Sequence, residues 1–147
     1  MNKNNRFRVF AGAAIFAVGL IVGINIGPAG AANAQSSDRV FELRTYITHA
    51  GRLDALHARF ANHTMRLFER HGMTNIGYFT PQDSPESENT LIYVLAHDSR
   101  EAAKESWSAF VSDPEWQEAY KASRADGDII ESLTSVFMDA TEYSQMK

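Results

Sequence analysis

The residues best equipped for chemistry in this 147-residue chain sit in its first alternating stretch, where Glu42, Arg44 and Tyr46 follow one another at every second position. On a β-strand that spacing puts a carboxylate, a guanidinium and a phenol side by side on one face. Such a trio can anchor a ligand. It can also be an ion pair that fixes strand register, because burial would force Glu42 and Arg44 to pair.

Histidine supplies the other acid–base candidates: His49, His57, His63, His71 and His97. His57, His63 and His71 fall in one helical segment at offsets of six and eight, not the four that a helical metal pair requires, and no HExxH motif occurs, so no metal site is expected. His71 stands before Gly72 and reads as a helix C-terminal cation against the macrodipole. His63 flanks the apolar stripe and is the candidate for a cavity-facing base or ligand contact; a satisfied boundary histidine is the plainer reading. Trp107, Phe110, Trp116 and Tyr120 carry large aromatic surface that belongs to a core or, with Tyr46 and His63, to a pocket wall between helix and sheet. The Asn62-His63-Thr64 sequon is discounted because it falls mid-helix. There is no cysteine, which removes thiolate chemistry and Cys-ligated metals, and there is no nucleophile elbow, phosphate-cradling Gly loop or dinucleotide fingerprint, so no cofactor is expected.

The elements that hold these residues are legible as changes of period. Arg39 to Thr48 alternates, with Phe41, Leu43, Thr45 and Ile47 on one face and Val40, Glu42, Arg44 and Tyr46 on the other. From Leu53 to His71 apolar residues recur at three and four, which predicts a helix of about five turns stopped by Gly72. Met73 to Thr80 predicts a second strand, TPQDSPESEN a loop, and Thr90 to His97, apolar on both faces, a central covered strand. Ser99 predicts an N-cap for a helix ending near Asp113. Asp113-Pro114 starts another that Gly127 ends, and Ile129 to Ala140 predicts the last strand.

The order strand, helix, strand, strand, helix pair, strand is the split βαβ arrangement of an α+β, ferredoxin-like βαββαβ fold with an antiparallel sheet. Its helices cover one sheet face. The other, to which Phe41, Leu43, Leu95 or its neighbours, and Phe137 are assigned, has no remaining element to cover it, and an apolar face of that size predicts a homodimer in which two sheets close a barrel.

Ahead of this domain, Lys3, Arg6 and Arg8 precede an uncharged apolar run from Val9 to Ile26, then Gly27-Pro28-Ala29-Gly30 and Ala32-Asn33-Ala34. Residues 1–34 read as a secretory signal peptide, with an uncleaved anchor as the alternative, and residues 35–147 as the mature, periplasmic or secreted domain; the membrane is involved only through an uncleaved N-terminal segment. The whole chain carries a formal charge of −4, and without those three cations 11 basic residues face 18 acidic ones, so nucleic acid is not an expected partner.

FELRTYITHAGRLDAL, LFERHGMTNIGYFT, LIYVLAHDSREAAKESWSAFVSDPEWQEAY and the SVFMDATEYS ending together resemble the NIPSNAP family across nearly the whole mature domain. The resemblance implies a dimeric α+β barrel, in a superfamily that includes cofactor-free monooxygenases, and carries over no catalytic residues. Three functions stay open. One is an exported homodimer binding a small, partly apolar molecule through Glu42, Arg44, Tyr46, His63 and Trp107. The second is a cofactor-independent monooxygenase or isomerase with His63 as base and Arg44 at a developing oxyanion. The third is a structural dimer without a ligand.

Overall fold

A computed structural model describes residues 39–146; the proposed signal peptide lies outside the described residues. In chain order the elements are β1 (Val40–Thr48), α1 (Leu53–Arg59), a π-helical turn (Phe60–Thr64), α2 (Met65–Arg70), β2 (Thr74–Phe79), β3 (Thr90–His97), α3 (Arg100–Ser112), α4 (Pro114–Ser123) and β4 (Ile130–Met138). The strands form one antiparallel sheet in the order β2-β3-β1-β4, so β1 and β3 are central and β4 is an edge. This is the βαββαβ arrangement expected from the sequence.

The helix ends follow local chemistry. Ser99 Oγ accepts the Ala102 amide at 3.0 Å and starts α3; Asp113 Oδ1 accepts the Glu115 amide at 2.8 Å and starts α4, with Pro114 in its first turn. After α2 the Met73 amide bonds the Phe68 carbonyl and the Gly72 amide that of Glu69, a Schellman closure in which Gly72 holds φ +79°. An added Cβ at Gly72 would meet Ser106 Oγ at 3.5 Å, an ordinary contact. Gly72→Ala is therefore expected to cost only the left-handed backbone strain, about 1 to 2 kcal/mol, read as a lower urea midpoint with an unchanged slope. The expected stop of α4 at Gly127 is misplaced: the helix ends at Ser123, and Gly127 turns the following loop at φ +116°.

The long first helix is not regular. The Met65 amide reaches back five residues to the Phe60 carbonyl, and the Thr64 hydroxyl donates to the Arg59 carbonyl at 3.2 Å.

Between helices and sheet lies the core, built on Leu56, Leu67, Phe68, Tyr93, Leu95, Phe110 and Ile129. Its rings meet edge-on, tilted or stacked, Phe60 to Tyr93 at 5.1 Å, Phe68 to Phe110 at 4.8 Å and Phe68 to Tyr93 at 6.1 Å, each burial contributing about 1.5 to 3 kcal/mol. Register assigns the faces: Glu42, Arg44 and Tyr46 pair with Leu95, Tyr93 and Leu91 on the helix side, and on the other neighbour with Phe137, Ser135 and Leu133. Leu95 and Phe137 are thus corrected from the open face to the helix-covered one. The open face carries Leu43, Val94, Ile92, Ile47, Val136, Met138 and Phe79, the last 60% exposed; Phe41, expected there, keeps that parity but is 4% exposed and not open to water.

Candidate functional site

Glu42 is the third residue of β1, facing the helices and 1% exposed. Four donors converge on its carboxylate. Arg44 Nη1 donates to Oε1 at 2.7 Å and Ser135 Oγ to the same oxygen at 2.6 Å; Trp107 Nε1 donates to Oε2 at 2.7 Å and His97 Nε2 meets that oxygen at 3.0 Å. Because an ionised carboxylate only accepts, the His97 proton sits on Nε2. Burial alone would push the Glu42 carboxyl upward, but the four donors, led by His97 and Ser135, overcome it and hold the group down at about 2. Glu42 is therefore a fixed negative charge and not a proton acceptor near neutral pH.

Arg44 is the half of the pair that reaches outward. Its side chain is 13% exposed; its guanidinium lies 4.3 Å from the Trp107 ring and 5.5 Å from that of Tyr46, and Nη2 donates to the Tyr46 hydroxyl at 3.3 Å. Burial works against its charge, yet Tyr46, Tyr93 and Glu42 together hold the group above its ordinary value. Around it three buried polar atoms make no hydrogen bond among the described residues: Arg44 Nε, Tyr93 Oη and His97 Nδ1. Tyr93 stands directly across the ladder from Arg44.

The helices leave most of β4 bare. On its helix-facing side Leu133 is 50% exposed, Ser135 is exposed and Phe137 half-buried, with the Arg100 guanidinium 3.4 Å above the Phe137 ring. The polar cluster thus opens at the sheet edge onto an apolar strip.

Of the residues singled out in the sequence, the fold brings Glu42, Arg44, Tyr46 and Trp107 together. It puts His63 elsewhere, half-buried in a groove between α1 and α4 that Arg44 does not line. His71 Nε2 meets Asp113 Oδ2 at 2.7 Å, so its partner is a carboxylate at the start of α4. Two members of the cluster were not placed in it from the sequence. His97 ends an apolar strand on the parity of Leu95 and Tyr93, a signal of inward direction; Ser135 gives none, because its role depends on the pairing of β4 with β1.

The NIPSNAP family model matches residues 41–145. Among solved structures, a NIPSNAP-like domain protein from Burkholderia xenovorans is similar at 16% identity and TM-score 0.64, covering 74% of this chain and 90% of that one. A NIPSNAP family protein of unknown function from Agrobacterium tumefaciens is similar at 21% identity and TM-score 0.64, covering 74% and 94%. SnoaB, a cofactor-independent oxygenase from Streptomyces nogalater, is similar at 14% identity and TM-score 0.51, covering 75% and 99%. No curated protein matches.

Proposed function

The chain belongs to the NIPSNAP family, and we propose that it is an exported homodimer that binds a small, partly apolar molecule bearing an acceptor or anionic group at Arg44. The observation that carries this reading is the division of labour in the cluster. Glu42 is consumed by four donors, while Arg44 keeps an unbonded Nε and borders an exposed apolar strip of β4. A guanidinium fixed between two aromatic rings is a pre-organised fork for a carboxylate or a polarised carbonyl. Leu133, Phe137 and Trp107 supply the surface for the apolar remainder.

Binding is favoured over catalysis because the cluster presents no exposed base: the unbonded His97 Nδ1 belongs to a side chain that is 0% exposed. Glu42 is ionised and saturated, and His63, the proposed base, lines a different groove. SnoaB is a cofactor-independent oxygenase, and the likeness to it extends to the fold alone. A structural dimer is the second reading, favoured by the same saturated carboxylate, which would lock β1, β3, β4 and α3 together whether or not a ligand binds.

Native mass spectrometry of the protein purified from its own host tests all parts at once: mature mass, subunit count and a retained small molecule. Arg44→Lys keeps the charge and the ion pair but loses the planar fork, so it is expected to fold while retaining the molecule at least tenfold less tightly. Equal retention by wild type and variant, or none in either, leaves the structural reading. Turnover of phenolic or quinone substrates by purified protein would bring the oxygenase reading back.

A further inference from the structure

The second polar centre of the domain lies outside the Glu42 cluster. Arg59, on the last turn of α1, is 4% exposed, and no carboxylate pairs with it among the described residues. Its guanidinium rests on the rings of Trp116 at 5.3 Å and Tyr120 at 5.4 Å; Nη1 donates to Ser123 Oγ at a long 3.3 Å, and Nε bonds nothing. A nearly buried guanidinium thus has one weak hydrogen bond and two aromatic faces for its charge. Burial draws this guanidinium below its ordinary value, as expected for a cation short of partners.

Arg52 stands beside it, half-buried. Its Nη2 donates to the Ser123 and Gly127 carbonyls at 3.2 and 3.1 Å, and its buried Nε bonds nothing. Both arginines line a groove of about 280 Å³ between α1 and α4, which Asn62, His63, Ser123 and Asp126 complete. A second hollow of about 80 Å³ touches Arg59 and is lined by Tyr120, Ile129 and the Arg124–Asp128 pair. The π-helical turn begins at the residue after Arg59 and carries Asn62 and His63, and such turns recur at functional sites.

We infer that the α1–α4 groove is a binding site for a small monocarboxylate with a short apolar body, its carboxylate received by Arg59 and Arg52. The guanidinium fork matches the geometry of a carboxylate. The walls are methyl groups, from Ala55 and Ala58 on one side and Ala119 and Ala122 on the other, and accept a few carbons and nothing bulky. Asp126 on the lining opposes a second negative charge, which selects a monoanion over phosphate.

The test is titration of the full-length protein at pH 8.5, where phosphate is a dianion and butyrate a monoanion, with butyrate, inorganic phosphate and butanol, followed by calorimetry and by the amide resonances of Asn62, His63 and Ser123. Butyrate is expected to bind saturably and to shift those three resonances, with phosphate at least tenfold weaker and butanol inert. Arg59→Met removes the charge and is expected to weaken butyrate at least tenfold. Ala122→Leu keeps both arginines, fills the groove from an exposed position on α4 and is expected to do the same, so it decides the matter should the buried substitution disturb folding. Absence of saturable butyrate binding, phosphate binding as tight as butyrate, or full affinity in Ala122→Leu would each overturn the assignment.

Discussion

Glu42→Ala is expected to destabilise the domain by about 3 to 5 kcal/mol at pH 7, a fall in Tm on the order of 15 °C. The loss is large because the alanine removes only the acceptor. Arg44 is left as a buried charge facing Trp107, while Ser135 Oγ loses its acceptor Oε1 and Trp107 Nε1 and His97 Nε2 lose Oε2. The pH dependence identifies the cause. Glu42 is held at about 2, below its ordinary 4.5, so its contribution is complete above pH 4.5 and is lost as pH falls toward 2. Linkage puts that contribution at about 3 kcal/mol. Urea unfolding at pH 7, 4.5 and 2.5 should therefore show wild type and Glu42→Gln far apart at neutral pH and converging in acid. A gap between them that stays constant over that range would mean that the carboxylate charge is not what the four donors hold.

The face on which Glu42, Arg44 and Tyr46 stand together was legible in the sequence, because strand parity is a strictly local property: any residues two apart share a side. What met them was not. His97 reaches Glu42 from 55 positions away and Ser135 from 93, and those partners follow from the order β2-β3-β1-β4, not from any short spacing. The same dependence explains the reassignment of Leu95 and Phe137. Alternation divides a strand into two faces but does not say which one the helices cover, and only the register with Glu42 decides it. Arg59 left a trace that is easy to overlook: it stands three residues after Leu56 and next to Phe60, inside the apolar stripe, where a charged residue must be buried. His63 shares that helix, yet the π-helical turn after Arg59 adds a residue to the repeat, and a constant 3.6 period misjudges which neighbour it faces.

Leu43→Asp is expected to convert the homodimer proposed above into monomers, raising the dissociation constant at least a thousandfold while the subunit stays folded. Leu43 is half-buried near the centre of the open sheet face, between Val94 on β3 and Val136 on β4. Four strands of this length span roughly 20 Å by 25 Å at standard spacing and rise, a footprint of about 500 Å² and so more than half of the ~800 Å² that each partner gives a stable dimer. Within one subunit, the helices lie on the opposite side, so the aspartate remains in water and costs little. Across a closed interface it would be stripped of water with no cation to meet it, and about 4 kcal/mol of uncompensated desolvation corresponds to three powers of ten in affinity. Val111→Asp, at an exposed apolar position on α3, adds the same charge away from the sheet and should leave association unchanged. Sedimentation equilibrium between 1 and 100 µM separates the cases. A wild-type protein that sediments as a monomer throughout, or a Leu43→Asp protein that still dimerises, would mean that another surface, or none, joins the subunits.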